Sequence, residues 1–319
     1  MTRSPDDPII FCGTPQFAVP TLQKLVETFN VRLVVTQPDR PKGRGLELVA
    51  SPVKQSALEL SLPIYQPEKI KTNEELRAKL AEIKPAAIIV VGYGRIIPSW
   101  MLQLPKFGNI NLHASVLPKY RGAAPIQWAI ANGESVTGVT TMRIDEGLDT
   151  GDILLQCELS ISEDDTAETL APKLAAIGAD LLIETLRGLQ AGTIHPQRQD
   201  NAQATLAPIL KKEDGRIDFS RSAREIYNRF RAFQPWPGAF TTFRLRGLNI
   251  RAMRPAAVQI AQEQAPPARL LVRGDRLFVG CENNSAVELL ELQPEGKKRM
   301  SARDFIHGYR PKTGEMVET

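Results

Sequence analysis

No stretch of about 18 consecutive apolar residues occurs in this chain, so no segment reads as a membrane-spanning helix. Cysteine is scarce. Cys12, Cys157 and Cys281 are three, widely spaced, with no paired-Cys motif of the kind that holds zinc or runs redox chemistry. Each lies in an apolar, strand-like segment and reads as a small core residue. A reducing cytoplasm is the compartment expected from such usage. The opening Met1–Asp7 is polar and acidic, without the basic start and long apolar segment of a secretory signal. Histidine is nearly absent as well: besides His113 there are only His195 and His307, in linker-like and terminal segments, so no metal cluster is expected. A dinucleotide fingerprint is also missing. The turn after the first strand, Gly13-Thr14-Pro15-Gln16-Phe17, has one glycine where a pyrophosphate needs three for close backbone approach, and Gly92-Tyr93-Gly94 lacks the third. A nicotinamide cofactor, and with it a pyridine-nucleotide dehydrogenase, is disfavoured.

What is present is an ordinary globular composition, 42% hydrophobic and 24% charged, over 319 residues, enough for two domains. The net charge of +4 conceals an asymmetry. Residues 208–319 carry 20 Lys+Arg against 13 Asp+Glu, whereas residues 1–207 carry 20 against 23. A basic C-terminal part raises the question of a polyanionic partner.

The first 160 residues alternate between two periods. Ile9–Cys12, Val31–Thr36 and Ala86–Val91 are short apolar runs, the last apolar on both faces as a covered strand should be. Between them, 17–29 (Val19, Leu22, Leu25, Val26) and 74–83 (Leu76, Leu80, Ile83) keep helical spacing. This βαβ alternation predicts an α/β fold with a doubly wound, mostly parallel sheet. Strands at Gly138–Ile144 and Ile153–Ile161 follow. A long helix opens at Asp165-Thr166-Ala167-Glu168 and stops at Gly192, with Pro172 in its first turns. Residues 193–207 are polar and aperiodic, the composition of a linker. Beyond them Ser222-Ala223-Arg224-Glu225 opens another helix. The short strand-like pieces Phe240–Leu245, Leu248–Met253, Arg269–Val272, Leu277–Gly280 and Val287–Leu292 then predict a smaller, OB-like β-barrel over 208–319.

The most informative segment is Gly108-Asn109-Ile110-Asn111-Leu112-His113-Ala114-Ser115-Val116-Leu117-Pro118-Lys119-Tyr120-Arg121-Gly122. Strand alternation puts Asn109, Asn111, His113 and Ser115 on one face. Amides and an imidazole on an inward face need partners, at about 1–3 kcal/mol each if none is found. A satisfied polar strand edge explains one such residue more readily than four. Downstream lies the acidic loop Asp145-Glu146-Gly147-Leu148-Asp149-Thr150-Gly151-Asp152, in which Asp149 is flanked by glycines that allow a sharp turn.

Asn-x-His-x-Ser-x-Leu-Pro, Arg-Gly-Ala-Ala-Pro-Ile-Gln and Gly-Leu-Asp-Thr-Gly-Asp together resemble the folate-dependent formyltransferases. The resemblance extends through Gly13-Thr14-Pro15, Thr36–Gly45, Ser51-Pro52-Val53-Lys54, Ala232–Pro237 and Gln293–Ser301, essentially the whole chain. It implies transfer of the formyl group of 10-formyltetrahydrofolate, as co-substrate, to an amine, with no metal. It implies that Asn111 and His113 hold the oxyanion that develops on the formyl oxygen, and that Asp149 accepts from the other His113 nitrogen, setting its tautomer. It further implies that Ser115, Val116, Leu117 and Pro118 line the folate site; the family usually has Leu where Val116 stands. By the same resemblance residues 1–192 are the catalytic domain and the amine is that of methionyl initiator tRNA, bound by the domain at 208–319 and by Arg40, Lys42 and Arg44. Leu46-Glu47 follow where that basic loop is expected to continue. A monomer is the expected state.

Other readings share part of the pattern. Formyltransferases acting on purine-pathway or sugar amines, or a formylfolate hydrolase, would use the same Asn111, His113 and Asp149 without needing a basic loop or a basic second domain. A non-catalytic RNA-binding protein on an inherited scaffold would be expected to have lost one of the three, and all are present.

Overall fold

The computed structural model describes residues 7–42, 47–256 and 266–318. The chain divides into two compact units. One comprises Met1–Pro125, Val136–Ser160 and Ala171–Ala207; the other comprises Ile126–Ser135, Ile161–Leu170 and Pro208–Thr319.

The first unit is built from strands that alternate with helices. In chain order these are β1 (Pro8–Gly13), α1 (Val19–Thr28), β2 (Asn30–Val35), β3 (Arg40–Lys42), β4 (Glu47–Val49), α2 (Pro52–Glu59), β5 (Ile64–Tyr65), α3 (Glu74–Ile83), β6 (Ala87–Val91), α4 (Ser99–Leu102) and β7 (Asn109–His113). After α5 (Pro125–Ala131), which apart from Pro125 groups with the second unit, come β8 (Val136–Arg143), β9 (Ile153–Ser160) and α6 (Ala167–Ala191), of which residues 171–191 belong to the first. One sheet runs in the order β5-β2-β1-β6-β7-β8-β9. Its first five strands are mutually parallel, and β8 and β9 add to the β7 edge antiparallel. All five residues of β6 are buried, as a central parallel strand covered on both faces requires. The doubly wound, mostly parallel sheet expected from the βαβ alternation is the one observed.

Helix α2 and the hairpin β3–β4 are among the elements that have no counterpart in the periodicity. Helix α2 starts where the Ser51 hydroxyl accepts the N–H of Lys54 at 3.1 Å, with Pro52 in the first turn. Strands β3 and β4 pair antiparallel, Arg40 opposite Val49 and Lys42 opposite Glu47. The foot of this hairpin is tied down: Lys54 Nζ reaches Asp39 at 2.6 Å and Gln66 donates to Asp39 Oδ1 at 2.8 Å. The Lys54 hydrogen bond, with that of Gln66, holds the Asp39 carboxyl below its ordinary range.

Residues 193–207, whose composition is that of a linker, group with the first unit and are bonded to it. Ile153 and Gln197 exchange backbone hydrogen bonds at 2.8 Å, Arg121 N–H donates to Thr205 O at 2.9 Å, and Ala207 N–H donates to Arg121 O at 2.7 Å. The segment is a strap.

In the second unit the residues after the strap form α7 (Ala223–Ala232), β10 (Ala239–Phe243), β11 (Arg246–Pro255), β12 (Leu270–Arg273), β13 (Arg276–Cys281), β14 (Ser285–Pro294), β15 (Met300–Ser301), α8 (Ala302–Tyr309) and β16 (Val317–Glu318). Ser222 and Glu225 form a reciprocal capping box at the start of α7, as the sequence predicts. The strands are ordered β12-β13-β14-β11-β10-β16, all antiparallel, with β15 on β14. The two ends of this order meet: Val317 N–H donates to Ala268 O at 2.9 Å and Leu270 N–H to Glu315 O at 2.8 Å. The sheet is therefore barrel-like, around a core that includes Phe219, Ile250, Leu277, Val287, Leu292 and Phe305. Cys12 and Cys281 are buried and unpaired, and burial raises the Cys281 thiol to about 12.

Candidate active site

The five parallel strands bring the turns after β1, β6 and β7 to one edge of the sheet, the edge at which open α/β sheets form their clefts. The Gly13–Pro15 and Gly92–Gly94 turns are joined there, with Thr14 Oγ1 and Gln37 Nε2 both donating to the Tyr93 carbonyl at 3.2 and 2.8 Å.

Strand β7 separates its asparagines by role. Asn109 is buried, and its amide nitrogen donates to the carbonyls of Met101 and Leu102 at 3.0 and 3.2 Å, which fastens α4 to the strand. Asn111, partly exposed, makes no side-chain hydrogen bond among the described residues, so its donors remain open. His113, the last residue of β7, is 6% exposed. Its Nε2 lies 2.9 Å from the Tyr120 carbonyl oxygen. A carbonyl can only accept, so Nε2 carries the proton and the tautomer is set by Tyr120. The sequence reading gave that task to Asp149, and the geometry corrects it. Asp149 Oδ2 stands 3.7 Å from Nδ1, on the other side of the ring. That is close enough to balance a charged imidazolium and too long for a direct hydrogen bond.

Asp149 reaches this position by an indirect route. Arg143, at the end of β8, pairs with Ile110 near the start of β7, so the loop 144–152 must fold back along β7 to come to His113. Several contacts hold it there. Asp145 Oδ1 accepts from Gly147 N–H at 3.0 Å and Thr150 Oγ1 at 2.7 Å, closing the loop on itself. Gly151 passes so near Arg143 that a Cβ would overlap the Arg143 carbonyl oxygen. Asp149 adopts a left-handed backbone, φ +52°, and its Oδ2 accepts the backbone N–H of Gly122 at 2.8 Å.

The turn that follows β7 is compact. Ser115 is fully buried, and its hydroxyl donates to the Lys119 carbonyl at 2.6 Å. Thr140 Oγ1 on β8 donates to Ser115 O at 2.7 Å and accepts Leu117 N–H at 3.1 Å, while Gln156 on β9 donates to Leu117 O at 2.8 Å. The Leu117–Pro118 peptide is cis. Of the four residues expected to line a folate site, Ser115 and Leu117 are buried within this turn, whereas Val116 and Pro118 are partly exposed.

The expected nucleic-acid loop is the β3–β4 hairpin. Arg40 is exposed and its Nη2 donates to Gln37 Oε1 at 3.0 Å. Lys42 ends β3, and Arg44 lies outside the described residues. Among the described residues no group of three or more His, Cys, Asp or Glu could hold a metal ion. The strap contributes what the sequence did not flag. Gln199 lies beneath the Asp149 loop, and Thr205 Oγ1 accepts Tyr120 N–H at 2.8 Å, behind the carbonyl that holds His113.

Residues 9–186 match the family model described as formyl transferase, and residues 209–310 match formyl transferase, C-terminal domain. The chain is 63% identical to the methionyl-tRNA formyltransferase of Koribacter versatilis, over 97% of this chain and 98% of that protein. It is 61% identical to the methionyl-tRNA formyltransferase of Acidobacterium capsulatum, over 94% and 96% of the two. In fold it is similar to an N-formyltransferase from Helicobacter canadensis solved with folinic acid and dTDP-3-aminofucose (TM-score 0.65, 19% identity, 88% of this chain and 98% of that one).

Proposed function

The chain belongs to the formyl transferase family, and from that premise we propose that it transfers the formyl group of 10-formyltetrahydrofolate to the free amino group of methionyl initiator tRNA, giving N-formylmethionyl-tRNA for translation initiation. The observation that carries the chemistry is the division of labour on His113. Its Nε2 is committed to the Tyr120 carbonyl and its Nδ1 faces Asp149, while Asn111, two residues earlier on the same strand, keeps its amide uncommitted among the described residues.

In this reading the amine nitrogen attacks the formyl carbon and forms the new C–N bond. The carbonyl electron pair moves onto oxygen, where the Asn111 amide and Nδ1–H of His113 donate to it. Because Nε2 already holds a proton, an Nδ1–H makes the ring an imidazolium, whose charge Asp149 compensates across 3.7 Å. One such donor aimed at a developing oxyanion is worth about 10²–10³ in rate. Collapse of the tetrahedral species restores the carbonyl and breaks the bond to folate N10. The leaving nitrogen takes up a proton equivalent to the one the amine loses, with Asp149 as the relay. Val116 and Pro118, the partly exposed members of the turn after β7, are the folate-facing pair in this arrangement, and Ser115 and Leu117 hold the turn from within.

The choice of tRNA over a small amine is supported by the relatives' names, by the basic stretch 208–319 and by the anchored β3–β4 hairpin, where Arg40, Lys42 and Arg44 would meet phosphates. We assign catalysis to residues 1–192 and tRNA contact to 208–319, in a monomer of the cytoplasm. Among the described residues no helix is long and apolar enough to cross a membrane. The test is incubation with 10-formyltetrahydrofolate and either charged initiator tRNA or small amines. Formyl transfer to the methionyl-tRNA is expected. Transfer confined to an amino sugar or a ribonucleotide amine would overturn the tRNA assignment, and release of free formate alone would turn the reading to hydrolysis.

A further inference from the structure

The buried strap residue Gln199 uses every polar group of its amide. Its Nε2 donates to the carbonyl oxygens of Asp149 and Gly151 at 2.9 and 2.7 Å. Its Oε1 accepts both Nε and Nη2 of Arg121, at 3.0 and 2.7 Å, and Arg121 Nη2 also reaches Asn201 Oδ1 at 2.9 Å. Gln199 and Arg121 are each 6% exposed, so water competes little for these bonds. The loop they hold is the one that folds back along β7, turning through a left-handed residue, Asp149, at the point where its carboxylate meets His113. Nothing in the covalent chain fixes that carboxylate. Beyond the loop's own closure through Asp145, two donors from outside it hold Asp149: Gly122 N–H on the side chain and the Gln199 amide on the backbone.

We propose that Gln199 is a positioning residue for the formyl transfer: its amide, locked by Arg121, sets the Asp149 loop and so the geometry of the His113–Asp149 pair. The proposal rests on the reading of Asp149 given above. The strap then belongs to the catalytic apparatus, with Gln199 supporting Asp149 and Thr205 supporting Tyr120, the two partners of the His113 ring.

The two halves of the amide separate positioning from mere stability. Gln199→Glu keeps an acceptor for Arg121 and loses both donors to the loop carbonyls. Gln199→Met loses all of them at similar volume. In the full-length protein, single-turnover formylation of methionyl-tRNA is measured with each variant, together with KM for both substrates and the thermal midpoint. A displacement of about 1 Å in a reacting group costs on the order of 10²-fold. Both variants are therefore expected to lose about 10- to 100-fold in the rate of transfer per folded enzyme with KM changed less than about two-fold, and both to melt lower, Gln199→Met the more because it also strips Arg121 of its acceptor. A Gln199→Glu enzyme with near-wild-type rate would reduce Gln199 to a structural partner of Arg121 and overturn the proposal. So would a loss confined to KM. Asp149→Asn is run alongside. If it too keeps its rate, the Asp149 reading itself fails; if it is slow while Gln199→Glu is not, only the positioning role fails.

Discussion

The backbone N–H of Gly122 donates to Oδ2 of Asp149 at 2.8 Å, so the residue after the Arg121 anchor is also a direct support of the carboxylate. Gly122 can do this because its φ is +121°, a conformation that L side chains rarely adopt, and because a Cβ there would stand 2.6 Å from the Ala207 carbonyl oxygen on the strap. Gly122→Ala is therefore expected to be destabilised by about 1–3 kcal/mol from backbone strain. It should also lose turnover beyond what its folded fraction explains, because the N–H that holds Asp149 moves. Urea unfolding and single-turnover rates per folded enzyme check both parts; a variant with wild-type turnover would show that this donor is dispensable.

The two asparagines of β7 give opposite expectations. Asn109→Ala leaves the Leu102 carbonyl without its side-chain donor and the Met101 carbonyl with backbone donors alone, and costs on the order of 1–3 kcal/mol of stability. Its rate per folded molecule should be nearly normal. Asn111→Ala should leave stability close to wild type, whereas His113→Ala, which strips the Tyr120 carbonyl of its buried donor, costs on the order of 1–3 kcal/mol. Both should remove about 10²–10³ or more of the rate per folded enzyme, with folate binding little changed. Denaturation curves, kcat and equilibrium folate titration separate the cases, and a His113→Ala enzyme near normal rate would end the oxyanion assignment.

Those asparagines also show how far the sequence could be read. Alternation along 109–115 put four polar residues on one face, and the strand, the His113 position and the parallel sheet around it followed from residue patterns alone. Alternation could not tell Asn109 from Asn111, because what separates them is whether α4 offers carbonyls within reach. It also carried Ser115 past the end of the strand, whose last residue is His113. The strap was illegible for a related reason. Its anchors are bonds from Gln199 and to Thr205 that end on backbone atoms of Asp149, Gly151 and Tyr120, and a backbone partner leaves no trace in sequence. The hairpin β3–β4 has only three residues a side, one of them Pro41, too short for any period to show. The barrel strands, with longer apolar runs and turn residues between them, were visible.

The barrel carries a titratable lock. Glu288 on β14 is 4% exposed; it accepts from Arg276 through both carboxylate oxygens, at 2.7 and 2.9 Å, and from Arg254 at 2.8 Å. The Arg276 hydrogen bonds, with those of Arg254, hold its carboxyl below the ordinary 4.5. A carboxyl whose folded pKa is depressed contributes stability above its unfolded value and loses it as pH falls through the folded one. Stability of the second unit should therefore decline on acidification from about pH 4.5 downward, because the unfolded chain then binds the extra proton. Glu288→Gln, measured by chemical denaturation at several pH values, should start lower at neutral pH and show a shallower acid slope. Parallel curves for the two proteins would remove Glu288 from the acid response.

The hairpin offers two ways to weaken tRNA use, and they differ in salt dependence. Each phosphate that a cation neutralises releases counterions, so losing one contact flattens the slope of log K against log salt by about 0.7–0.9. Lys42→Ala or Arg44→Ala, in the proposed phosphate-contacting loop, should therefore weaken methionyl-tRNA binding most at low salt and lower the slope by roughly that amount per residue. Lys54 is different, since its charge is already committed to Asp39 at 2.6 Å at the foot of the hairpin. Lys54→Met releases the foot without removing a phosphate contact, so it should raise KM for tRNA at every salt concentration and leave the slope unchanged. Affinities measured across a salt series distinguish the two. A Lys42→Ala enzyme with an unaltered slope would take that residue out of the interface, and a flattened slope in Lys54→Met would mean that Lys54 itself, rather than the hairpin it anchors, meets the nucleic acid.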